Sequence, residues 1–130
     1  MSDKSVTPLV KAEIEKVYSG ICKSFAELNL NSVLEYFSDR DDMVKISNGT
    51  LLRGKKELLG YWHKRLDGVD NLRISIENVE VHIIAENYVW TTADEYIILN
   101  EHYQKAVVSN IFILTTEGWK VLLDHTTYVQ

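Results

Sequence analysis

The chain has 130 residues, 45% apolar and 25% charged, an average soluble composition that excludes a disordered or low-complexity protein and fits one domain over 1–130. Its net charge of −5 argues against nucleic acid as a partner, which needs clustered Lys and Arg. No apolar run is long enough for a membrane span, the opening Met1-Ser2-Asp3-Lys4-Ser5 has no leader pattern, and the lone Cys22 fits a reducing compartment. A cytoplasmic location with no membrane partner is therefore expected.

In chain order, Ile14, Val17, Tyr18, Ile21, Phe25 and Leu28 recur at helical steps and predict a first helix with one apolar face. Thr7 and Pro8 are read as its start, and Asn29–Asn31 as its end. Asn31 is expected to cap a short second helix carrying Val33, Leu34 and Phe37. Met43–Ser47 alternates like a strand, Asn48-Gly49 suits a hairpin turn that needs positive φ, and Thr50–Arg53 returns. Gly54 then opens a third helix, Lys55 to about Asp67, with Leu58, Trp62 and Leu66 on one stripe beside Leu59 and Tyr61. Gly68 closes it.

Beyond it the sequence reads as strand: Leu72–Ile84, Tyr88–Leu99, Tyr103–Thr115 and Trp119–Val129. The links are too short for crossovers, so these strands must run antiparallel. The apolar phase shifts from Leu72, Ile74 and Ile76 to Val79, Val81 and Ile83, which requires an extra residue near Glu77-Asn78 and predicts a bulge that bends the sheet. The expected architecture is an α+β cone, in which N-terminal helices pack in a strongly curved, mostly antiparallel sheet that leaves a pocket at one end.

Several strings within this order, Ile46-Ser47-Asn48-Gly49, Arg53-Gly54, Gly118-Trp119-Lys120-Val121 and Asp124-His125-Thr126-Thr127, resemble the nuclear transport factor 2-like superfamily. The similarity is greatest to small stand-alone SnoaL-like proteins and runs from about Val10 onward. It implies the cystatin-like cone. It also implies a comparison with ketosteroid isomerases, whose general-base aspartate falls near Ile46, whose oxyanion tyrosine falls near Ile21, one turn from Tyr18, and whose second oxyanion donor falls on Asn110. Without a base, steroid isomerisation is rejected.

On the last strand Trp119, Val121, Leu123, His125 and Thr127 share one face by the period of two, and the resemblance makes that face the cavity side. Asn110 shares a face with Ala106, Val108 and Phe112. The expected pocket is therefore Tyr18, Trp62, Asn110, Phe112, Trp119, Leu123 and His125, with His125 as the candidate catalytic base or donor and Asn110 and Tyr18 orienting a ligand carbonyl. All three also suit satisfied core polar groups, and Trp62 and Trp119 suit ordinary core as well as ligand stacking. Asp124 is expected on the face opposite His125. A supporting carboxylate would then be Asp42, Asp94 or Glu95, and alternation does not decide between Asp94 and Glu95.

No metal or cofactor is expected. His63, His82, His102 and His125 lack ligand spacing, Asp39, Asp41 and Asp42 lack the glycine and closing Glu of a calcium loop, and neither phosphate loops nor nucleophile elbows occur. Asn48-Gly49-Thr50 matches a glycosylation sequon but is read as the turn. Apolar residues on the other side of the last strands, Val107, Ile111, Ile113, Leu122 and Tyr128, predict a homodimer through the convex sheet face. Two functions stay open. One is a cone that binds an apolar small molecule, with an isomerase-, cyclase- or hydrolase-type activity as its extension. The other is a homo-oligomerisation module with a filled, non-catalytic cone.

Overall fold

A computed structural model describes the backbone of residues 3–129 and the side chains of residues 8–129. The elements run α1 (Asp3–Ala26), α2 (Leu30–Leu34), β1 (Val44–Ser47), β2 (Thr50–Arg53), α3 (Gly54–Arg65), β3 (Leu72–Ala85), β4 (Tyr88–Leu99), β5 (His102–Thr115) and β6 (Gly118–Tyr128). Helix α1 begins before the expected Thr7–Pro8 boundary and runs through Pro8, because proline already has a helical φ and forfeits a single N–H bond here. The cap expected from Thr7 involves a side chain outside the described residues. Leu28 has left the helix with φ 55° and is exposed, so it is not on the buried face. The cap of α2 is Asn29 rather than Asn31, with its side chain accepting from the Ser32 N–H at 3.1 Å. Phe37 lies beyond α2, in an isolated bridge to Val121.

The strands form one sheet in the order β2-β1-β6-β5-β4-β3. Its pairs are antiparallel except β1–β6, which is parallel. The register of β3 against β4 shifts between Glu77 and Glu80, and Asn78 has φ 55°, so the bend lies where the change of apolar phase placed it. A second shift falls between Ile83 and Ala85. A third lies in β6, where Ile111 pairs with Leu123 and Phe112 with Val121, leaving Leu122 as the extra residue.

Such bulges increase twist and curl the sheet, and the helices lie in its concave side. The core joins Ile14, Tyr18 and Phe25 of α1, Phe37, Leu58 and Trp62 to the inner faces of the strands. Trp62 meets Phe25 and Phe37 edge to face at 5.1 and 5.5 Å, and Tyr18 meets Phe112 at 5.5 Å, the geometry that aromatic quadrupoles favour. The result is an α+β cystatin-like cone. No helix among the described residues is long and apolar enough to cross a membrane.

Candidate functional site

The bulge at Leu122 decides what the last strand offers. Up to Val121 the alternation points Trp119 and Val121 inward, and both are buried. One extra residue inverts the phase. Asp124, Thr126 and Tyr128 then turn inward, while Leu123, His125 and Thr127 turn outward, and His125 is exposed. The expectation that His125 and Leu123 line the pocket is corrected on this ground. The same inversion places Asp124 inward and removes Tyr128 and Leu122 from the convex face, since Tyr128 borders the hollow and both pack against the core.

The interior holds a cavity of about 80 Å³ between α1, α3 and the sheet. Tyr18, Trp62 and Asn110 line it together with Phe25, Ile76 and Val108. Phe112 and Trp119 are not among its lining residues. Phe112 is fully buried against Tyr18, and the Trp119 indole N–H donates to Glu13 Oε1 at 2.8 Å. Trp62 is both core and wall.

Three polar groups form a closed set on one wall. Antiparallel register places Thr91, Asn110 and Asp124 side by side across β4, β5 and β6. The Tyr18 hydroxyl donates to Asn110 Oδ1 at 2.5 Å and lies 2.7 Å from Thr91 Oγ1. Asn110 Nδ2 donates to the Leu123 carbonyl at 3.2 Å. Burial holds the Tyr18 phenol well above its ordinary pKa, so it stays neutral.

A second set is charged. The parallel β1–β6 pairing sets Lys45 opposite Asp124, with Nζ 3.3 Å from Oδ1. Thr126 Oγ1 donates to the same Asp124 oxygen at 2.7 Å and accepts from Lys45 Nζ at 3.3 Å. The sequence offered no sign of Lys45, since only the long-range contact of β1 with β6 turns it inward. Arg65 lies on the last turn of α3 beside the exposed His63 and Lys64. It is half-buried and borders the hollow.

Glu95 settles the ambiguity in β4. Val89, Thr91, Ala93, Glu95 and Ile97 form the inner face, while Asp94 faces outward and accepts from Asn78 Nδ2 at 2.8 Å. Asp42 is exposed and bound by Arg40 at 2.7 Å. Among the described residues Glu95 has no hydrogen bond or ion pair, unlike Lys45, Arg65 and Asp124 of the same hollow. It keeps some accessible surface because it faces the hollow, although protein surrounds it. Burial, reinforced by the nearby Asp124 charge and opposed by Lys45 and Arg65, pushes its carboxyl up to about 7. A free carboxyl poised near neutrality can give or take a proton. Among the described residues no group of His, Cys, Asp and Glu side chains is arranged to hold a metal.

Residues 14–128 match the family model of the SnoaL-like domain. No curated protein sequence matches. Among solved structures, a proposed dehydratase of the NTF2-like family from Streptomyces avermitilis aligns at TM-score 0.82 and 17% identity, covering 95% of this chain and 99% of that one. A proposed calcium/calmodulin-dependent protein kinase type II association domain from Thiobacillus denitrificans aligns at 0.75 and 18%, covering 89% and 94%. A ketosteroid isomerase-like protein from Erwinia carotovora atroseptica aligns at 0.71 and 15%, covering 92% and 95%. At these identities the likeness concerns the fold, and proteins of three different descriptions share it. The chain belongs to the SnoaL-like domain family.

Proposed function

We propose that the protein binds a small, mostly apolar molecule in the cone and that Glu95 meets its polar group, with proton transfer as the chemistry this carboxyl is suited to perform. The observation that carries the reading is Glu95 itself, an acid without a partner facing a mostly apolar hollow. A carboxyl that protein surrounds and leaves without a hydrogen bond is a ready partner for a ligand's polar group. Tyr18, Trp62 and Asn110 remain the lining residues of this proposal. His125 is withdrawn from the catalytic role. No metal or cofactor enters the scheme.

Size limits the ligand. At about 80 Å³ the hollow has about half the ~150 Å³ of an apolar cavity that holds benzene, which limits the ligand to at most one small ring. We also propose a cytoplasmic homodimer joined through the convex sheet, supported by exposed Trp90, Val107 and Tyr103, since apolar side chains on an outer sheet face mark contact surfaces. The rival function, an association module with a filled cone, shares that dimer and differs in the hollow.

A thermal-shift screen of one-ring compounds separates the two. A ligand-binding cone gains melting temperature as ligand rises past its Kd, and Glu95→Ala changes the set of compounds that do so. A melting temperature unmoved by every compound favours the association module and rejects the pocket.

A further inference from the structure

Two oppositely charged side chains line the hollow without meeting. The Arg65 guanidinium donates to the Gln104 amide oxygen at 2.7 Å and lies 4.7 Å from the centre of the Tyr128 ring. Among the described residues it forms no ion pair with a carboxylate. Glu95 borders the same space, feels the Arg65 charge and is bonded to neither it nor any other group. The remaining two charges, Lys45 and Asp124, are joined to each other. The walls therefore hold a matched ion pair, a cation without a counter-ion and an acid without a partner.

We infer, building on the small-molecule reading above, that the ligand is a compact monocarboxylate of about one ring whose carboxylate bridges the Arg65 guanidinium and the Glu95 carboxyl. A planar guanidinium is well shaped for carboxylate. A protonated carboxyl donates to the other oxygen in a short charge-assisted bond. An amine entering the same space meets the unpaired Arg65 as a like charge, and a neutral alcohol leaves Arg65 without its anion.

Binding is then linked to a proton on Glu95. Its facing groups are Tyr18 and Cys22 of α1, Lys45 of β1, Tyr61 and Arg65 of α3, and Asp124 and Tyr128 of β6. β3 and β5 contribute Ile76, Val108 and Asn110, which do not titrate. Burial pushes the Cys22 thiol and the Tyr128 phenol each up to about 12 and the Tyr18 phenol well above its usual value, so these three stay neutral between pH 6 and 8.

Isothermal titration of the full chain with benzoate, benzylamine and benzyl alcohol at pH 6 and 8 tests the inference. Benzoate should bind tightest, about tenfold more weakly at pH 8 than at pH 6, as expected where one proton is taken up by a group titrating near 7. Glu95→Gln should retain benzoate binding and lose its pH dependence, and Arg65→Gln should weaken benzoate about tenfold or more without changing benzyl alcohol. Melting curves of both variants verify folding, and the wild-type pH series stands without either. Tighter binding of benzylamine or benzyl alcohol, or benzoate affinity equal at the two pH values, overturns the inference and leaves the small-molecule hollow standing. Failure of all three probes to bind overturns both.

Discussion

Lys45 and Asp124 face each other across the parallel β1–β6 pair, Nζ 3.3 Å from Oδ1, with side chains only 9% and 15% exposed. Removing one partner from such a pair strands the other charge in a low-dielectric wall. Lys45→Met is predicted to lower unfolding stability by about 3 kcal/mol, whereas Lys45→Met combined with Asp124→Leu recovers most of it. Urea denaturation of the two single variants and the double variant measures the difference. Equal losses in the single and double variants would show that the pair contributes through packing rather than charge.

Glu95 makes stability depend on pH with a defined sign. Its folded-state pKa of about 7 lies above the ordinary 4.5, so the folded protein holds the proton more tightly than the unfolded chain. The contribution is fully present below about 4.5 and is lost as pH rises toward and through 7. A shift of this size corresponds to about 3 kcal/mol. The wild-type protein should therefore lose stability relative to Glu95→Gln between pH 5 and 8, read as the difference between two melting-temperature profiles. Parallel profiles would place Glu95 in water.

Tyr18→Phe deletes a hydroxyl bonded to Thr91 and Asn110 and leaves both buried groups short of a partner. The expected cost is about 1–3 kcal/mol, measured by chemical denaturation. A cost near zero would mean that water replaces the phenol.

The two faces of β6 make separable predictions. His125→Ala should leave ligand affinity unchanged, because the imidazole lies on the convex side with Val107. Val107→Lys should weaken the proposed dimer, read as a concentration-dependent fall in mass by sedimentation, and should spare ligand binding. A wild-type chain that stays monomeric at every concentration would remove the dimer.

How much the sequence reveals depends on whether a bulge leaves a polar trace. In β3 the extra residue coincides with Glu77-Asn78 between two apolar phases, so hydropathy shows the switch. In β6 the extra residue lies within Leu122-Leu123, where both neighbours are apolar and any register reads equally well. That one residue exchanges His125 for Asp124 in the hollow. On β4, alternation separates Asp94 from Glu95 without saying which side is concave. Asn78, which bonds Asp94 on the outer face, supplies that information only once the strands are paired. Lys45 and Arg65 reach the hollow through long-range packing of β1 on β6 and of α3 on the sheet mouth, which local periodicity does not encode. The helices, strand order along the chain and cone class, by contrast, follow from local patterns.

The most direct measurement is a carbon-13 NMR titration of the side-chain carboxyls in wild-type protein, with Glu95→Gln assigning the signal, in the absence and presence of benzoate. An apo midpoint near 7 that moves higher with ligand is the predicted result. A midpoint near 4.5, unmoved by benzoate, would contradict both the enclosed carboxyl and its role in binding.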